Sequence, residues 1–141
     1  MAQIQIWTRD VENTSSLGDY APQHTYFIKV NDDGTREILR GGPIDDDMIV
    51  DDISIINATY DEDSPDWYDP FSTSNPLNHQ GNIIKTSSQS EIDALWESAW
   101  TSAQNMNNQT YDYEAFTQNC NTSVGLMADA MGLRTEVENF L

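Results

Sequence analysis

The chain has 141 residues, enough for one domain (residues 1–141) with a real core, and 38% hydrophobic with 10% aromatic content is too rich for a disordered acidic tail. Six Lys and Arg face 24 Asp and Glu, a formal net charge of −18 that repels a phosphate backbone and an anionic bilayer, so neither nucleic acid nor membrane is an expected partner. No apolar run approaches the ~20 residues of a membrane helix, the start MAQIQIWTRD lacks a Sec-type leader pattern, and a single cysteine, Cys120, excludes an internal disulfide framework and a Cys-clustered zinc site.

In chain order, QIQIW at residues 3–7 alternates polar and apolar as a half-buried strand does. Residues 10–22 read as loop. HTYFIKV (24–30), the turn NDDG (31–34) and TREIL (35–39) form a hairpin in which Gly34 supplies positive φ, and RGGP (40–43) is expected to stop the second strand. Short strands are expected at 48–50 and 53–56, with aspartates as solvated boundaries. Residues 61–77 hold three prolines and no period, which reads as a long surface loop, and 82–86 reads as a short strand.

The last third is helical. Ser90 with Asp93 suggests an N-cap, and Ile92, Leu95, Trp96, Ala99, Trp100, Ala103 and Met106 trace one apolar stripe whose tryptophans belong to the core. After a Tyr-rich stretch (111–116), NTSVGLMADAM (121–131) reads as a second helix ended by Gly132. The terminal RTEVENFL shows no clear cap. These elements define an α+β domain, a small antiparallel sheet packed against helices.

Cys120 lies in TQNCNTS, where a polar stretch gives way to that helix. With Asn119 as N-cap, the thiol falls in the first turn beside unpaired N–H groups, which favours thiolate and leaves donors for an oxyanion. A small packing residue at a helix contact is the plain alternative. Two histidines are available as its base: His24, at the head of a strand, and His79, in the loop-like NPLNHQGN. A strand holds geometry better, so His24 is the preferred partner.

The order of a His-led strand, a hairpin and a late helix headed by Asn-Cys-Asn (NCNTSVGLMADAMG) resembles the circularly permuted papain-like thiol hydrolases. That group includes PPPDE-type peptidases and lecithin–retinol-acyltransferase-like proteins, and is related to NlpC-type cell-wall peptidases. HTYFIKVNDDGTREILRGGP is also similar to the first hairpin of small bacterial members, some of them toxin or effector modules. The resemblance covers roughly residues 20–43 and 90–133 and implies a permuted papain-like fold. It makes Cys120 the nucleophile and His24 the general base, with backbone N–H groups at Cys120 and Asn121 holding the oxyanion. A third, orienting residue would come from the strand after the histidine strand, Thr35 or Glu37, or from Gln118 or Asn119, whose side chains also suit helix capping.

The implied substrate is an amide in a peptide or in peptidoglycan, with no cofactor or metal and, for an effector, a cognate inhibitor or immunity protein as partner. Lack of a Sec leader points to cytoplasmic synthesis, with export by a specialised route open. Other classes remain: an acyl or thioester hydrolase on the same scaffold, a non-catalytic acidic inhibitor of a basic partner, and a structural module with a degenerate site. The acidic runs 45–47, 51–52 and 61–63 lack EF-hand spacing and read as solvated charge.

Overall fold

The computed structural model describes residues 1–10, 23–43, 53–64, 67–68, 74, 78–107 and 120–141, with backbone only at 23–24, 41–43, 53–56, 106–107 and 120–123. Among the described residues, five strands, β1 (Ala2–Asp10), β2 (Gln23–Val30), β3 (Arg36–Pro43), β4 (Ile53–Thr59) and β5 (Gln80–Ser87), precede three helices, α1 (Gln89–Asn107), α2 (Cys120–Met131) and α3 (Arg134–Phe140). Every strand pair is antiparallel and the order is β4-β3-β2-β1-β5. The architecture is α+β. No described helix is long and apolar enough to cross a membrane.

Alternation over residues 2–7 of β1 produces the two-sided sheet. Ala2, Ile4 and Ile6 are buried toward the helices, joined by Phe27, Leu39 and Ile84 from neighbouring strands and by Ile92, Trp96, Ala99, Ala103, Val124, Met127, Ala128 and Val137 from the helices. Truncating one of the large members to Ala costs about 2–5 kcal/mol. On the opposite face, Tyr26, Ile28, Ile38 and Tyr60 form a second cluster, with Trp7, Val30 and Trp67 packed against it.

The hairpin is where the sequence puts it. Asn31 N donates to Thr35 O (2.8 Å) and Gly34 N to Asn31 O (3.0 Å), with Gly34 at φ +88°. Asp33 Oδ1 accepts from Thr35 N at 2.9 Å. The glycines do not stop β3. Gly41, Gly42 and Pro43 continue it opposite Ile55, Ser54 and Ile53, because β4 supplies a ladder beyond Arg40, the last β3 residue paired with β2. Pro43 lies where β3 has a described ladder partner on one side only, an edge position of the kind at which sheets admit proline. The expected strand at 48–50 lies outside the described residues.

The segment after β4 is not all solvated loop. Trp67 and Tyr68 are half-buried, and Tyr68 N donates to Tyr60 Oη at 3.0 Å. The Arg36 guanidinium lies 5.3 Å from the Tyr60 ring and 4.8 Å from Trp67, a cation–π pairing that fastens this segment to β3. On the same face the Trp7 indole covers Gly81, where a Cβ would fall inside the ring (2.6 Å from Cε3).

The cap of α1 sits two residues earlier than expected. Ser88, not Ser90, receives the Glu91 N–H on its Oγ (3.3 Å), while its carbonyl accepts from Ile92 N (3.0 Å). Helix α2 ends in a Schellman turn: Leu133 N reaches Ala128 O (2.8 Å), Gly132 N reaches Asp129 O (3.0 Å), and Gly132 takes φ +70°. The third helix, which no apolar period in the sequence announces, follows at once. Arg134 grips both oxygens of Asp129 (2.5 and 2.6 Å) and lies close over Gly125, where a Cβ would stand 3.2 Å from its Nη2.

Candidate functional site at the end of the sheet

His24 is the second residue of β2, directly opposite Arg9 of β1, and Gln23 stands opposite Asp10, with no register break along the pair. Thr25, Phe27 and Lys29 alternate with Tyr26, Ile28 and Val30. Phe27 belongs to the helix-side core and Tyr26 and Ile28 to the far-side cluster. By register His24 falls in the second set, whereas the helix headed by Cys120 contributes to the first core.

The same end of the sheet gathers polar residues. Arg9 and Asp10 are both buried, and Arg9 Nη1 donates to the Asp10 carbonyl at 2.9 Å. The Asp10 carboxylate accepts from Asn78 Nδ2 at 2.7 Å. Asn78 takes the left-handed conformation (φ +50°), which asparagine tolerates better than most residues. That bend delivers His79 into the structure: it is buried and stacks on Tyr68 with centroids 4.8 Å apart and planes 8° from parallel. Gln80 then opens β5 opposite Thr8. The two histidine positions thus flank the end of β1, one on each neighbouring strand side. The sequence hinted at this only through an Asn before a His ahead of a β-rich segment.

Helix α2 begins at Cys120, so the cysteine and Asn121 occupy its first turn, where backbone N–H groups have no intrahelical acceptor. The helix packs against α1 and touches β2. The side chains of His24, Cys120 and Asn121, and the whole of residues 118–119 with the proposed Gln118 and Asn119, lie outside the described residues.

Glu37 is brought elsewhere. It stands opposite Lys29, five positions along β2 from His24, on the order of 16 Å at strand spacing. Lys29 Nζ binds Glu37 Oε2 at 2.7 Å and Asp93 Oδ1 at 3.1 Å, and its side chain is only 9% exposed. Glu37 also accepts from Asn31 Nδ2 (3.3 Å), and Asp93 from Gln89 Nε2 (2.7 Å). Register therefore removes Glu37 as an orienting residue for His24 and makes it a partner of Lys29, the residue that fastens the sheet to α1 through Asp93. Thr35 is likewise engaged, by Asp33 in the turn. Burial opposes the charge on Lys29, but the two carboxylates outweigh it and hold its pKa above the ordinary lysine value. Gln89 first, then Lys29, pulls Asp93 below the usual carboxylate value.

Among the described residues no three His, Cys, Asp or Glu side chains converge as a metal site. Asp61 instead shapes its own turn, its Oδ1 accepting from Asp63 N at 3.0 Å. Comparison with family models, with curated protein sequences and with solved structures finds no match for this chain.

Proposed function

We propose that the chain is a cysteine hydrolase of the permuted papain-like kind, cleaving an amide in a peptide or in peptidoglycan through Cys120 and the base His24. One observation carries the reading: the helix that begins at Cys120 touches β2, the strand whose second residue is His24, in His-before-Cys order. In this mechanism the imidazole takes the thiol proton and the thiolate attacks the carbonyl carbon. The N–H groups at the head of α2 hold the resulting oxyanion, and the imidazolium protonates the leaving amine. Water, deprotonated by the same imidazole, then releases the acyl group from sulfur.

The register of His24 puts a condition on the geometry. Its position alternates away from the helix-covered face, so the reaction centre in this reading lies at the end of the sheet around the Arg9–Asp10–Asn78 corner. His79 belongs to that corner too and is the competing base. The net charge of −18 favours a second reading, and three of the six basic residues, Lys29, Lys85 and Arg134, are already paired with carboxylates. That suits a non-catalytic binder of a basic partner protein.

Alkylation of Cys120 by iodoacetamide across pH, in the natural chain and in His24→Ala and His79→Ala, decides between these readings. The dyad requires a thiol pKa below the free-cysteine value that rises in His24→Ala, together with loss of hydrolysis in Cys120→Ala. A rise only in His79→Ala transfers the base role to His79. Reactivity like a free thiol in all three chains removes the hydrolase and leaves the acidic binder.

A further inference from the structure

Strand β5 closes one side of the sheet, and among the described residues no segment pairs with its outer edge. Natural edge strands are normally blunted by proline, charge or brevity. This one has eight residues, no proline, and one charged side chain, Lys85, which is held by Glu91 at 3.7 Å. Residues 80–83 are all exposed, and Ile83 presents an aliphatic side chain with 49% of its surface open. The register break that pairs Gln5 with Ile83 and Ile4 with Lys85 leaves 80–83 as the longer of two regular runs in the ladder.

The two faces beside this edge differ in chemistry. Ile83, opposite Gln5, lies on the face away from the helices, while Ile84 is buried with Leu133 and Val137 on the helix side. There α3 packs on β5, and its exposed Glu136 and Glu138 flank the buried Val137. A strand added at this edge therefore has an aliphatic side chain on one face and, on the other, the helix that carries Glu136 and Glu138, the latter 3.4 Å from Arg134. We propose that the outer edge of β5 docks an extended segment of a basic partner polypeptide, one alternating aliphatic residues with Lys or Arg. The charge of −18 draws such a segment in and repels a second copy of the same chain.

The proposal is independent of catalysis, so it is tested on both the natural chain and Cys120→Ala. The probe is a synthetic peptide of six residues alternating valine and lysine, followed by amide hydrogen exchange. Saturable binding that slows exchange of alternate amides within residues 80–83 is expected in both chains, weakened at least tenfold by Ile83→Lys. A peptide with the same composition but lysines and valines in separate blocks should bind far more weakly. Equal binding of the two peptides, protection elsewhere in the chain, no binding, or self-association through β5 in sedimentation each overturns it.

Discussion

Replacing Lys29 by Met removes the ammonium group that ties β2, β3 and α1 together while keeping most of the aliphatic stem. The natural side chain is 9% exposed, its partners Glu37 and Asp93 33% and 52%. A hydrogen bond to a charged group contributes about 1.5–3 kcal/mol when sheltered, whereas an exposed ion pair contributes about 0–1 kcal/mol. Asp93 falls in the second range and Glu37 between the two, so the loss is expected near ~2 kcal/mol. For a chain of this length that is a Tm lower by roughly 5–10 °C. Urea unfolding of Lys29→Met, Glu37→Gln and the double variant isolates the pairwise part, expected at about 1 kcal/mol or more. The dependence on pH follows from the two shifts. Lys29 has a raised pKa when folded, so its contribution is complete below the ordinary lysine value and disappears as pH climbs through the folded one. Asp93 has a lowered pKa, so its contribution disappears as pH falls through that value. The gap between natural chain and variant should be flat from roughly pH 5 to 9 and close at both extremes. A loss under about 0.5 kcal/mol, or single-variant losses that simply add, would refute the reasoning.

Gly81→Ala should cost about 1–3 kcal/mol, because the new methyl occupies the Trp7 ring's place, and should change near-ultraviolet circular dichroism as the indole moves. Ser88→Ala should lower stability by about 1 kcal/mol in urea while Ser90→Ala changes little, the reverse of what the sequence alone suggests. Gly132→Ala should cost on the order of 1 kcal/mol through its φ of +70°, with space around it offering no further penalty. In the catalytic reading, His24→Ala should lower turnover by at least ~10²-fold with the urea midpoint nearly unchanged.

The hairpin and the long helix were legible because each is locally consistent. Tyr26, Phe27 and Ile28 carry β-forming side chains up to a turn ending in glycine, and Ile92, Trp96, Ala99 and Ala103 repeat at helical spacing. Errors arose where a partner elsewhere overrides local preference. Gly41 and Gly42 are poor strand residues alone, but β4 pairs with them. Helix α3 has seven residues and a single buried one, Val137, so its order comes from docking and from the Arg134–Asp129 clamp rather than from its own pattern. At the candidate site, sequence order proposed Cys120 and His24 for thiol chemistry but carried nothing of their register. Glu37 lies one strand from His24 in the chain's order and five positions away along it, opposite a lysine. His79, read as loop, is buried, with the bend at Asn78 before it and the ring of Tyr68 stacked on it.

The second aromatic cluster has a practical corollary for anyone trimming this chain. The acidic segment around 61–68 invites deletion as dispensable, yet Trp67 and Tyr68 roof a wall of Tyr26, Ile28, Ile38 and Trp7. A shortened version would present that oily wall to its neighbours and gain a reason to clump. The excision would also discard carboxylates whose mutual repulsion keeps copies apart.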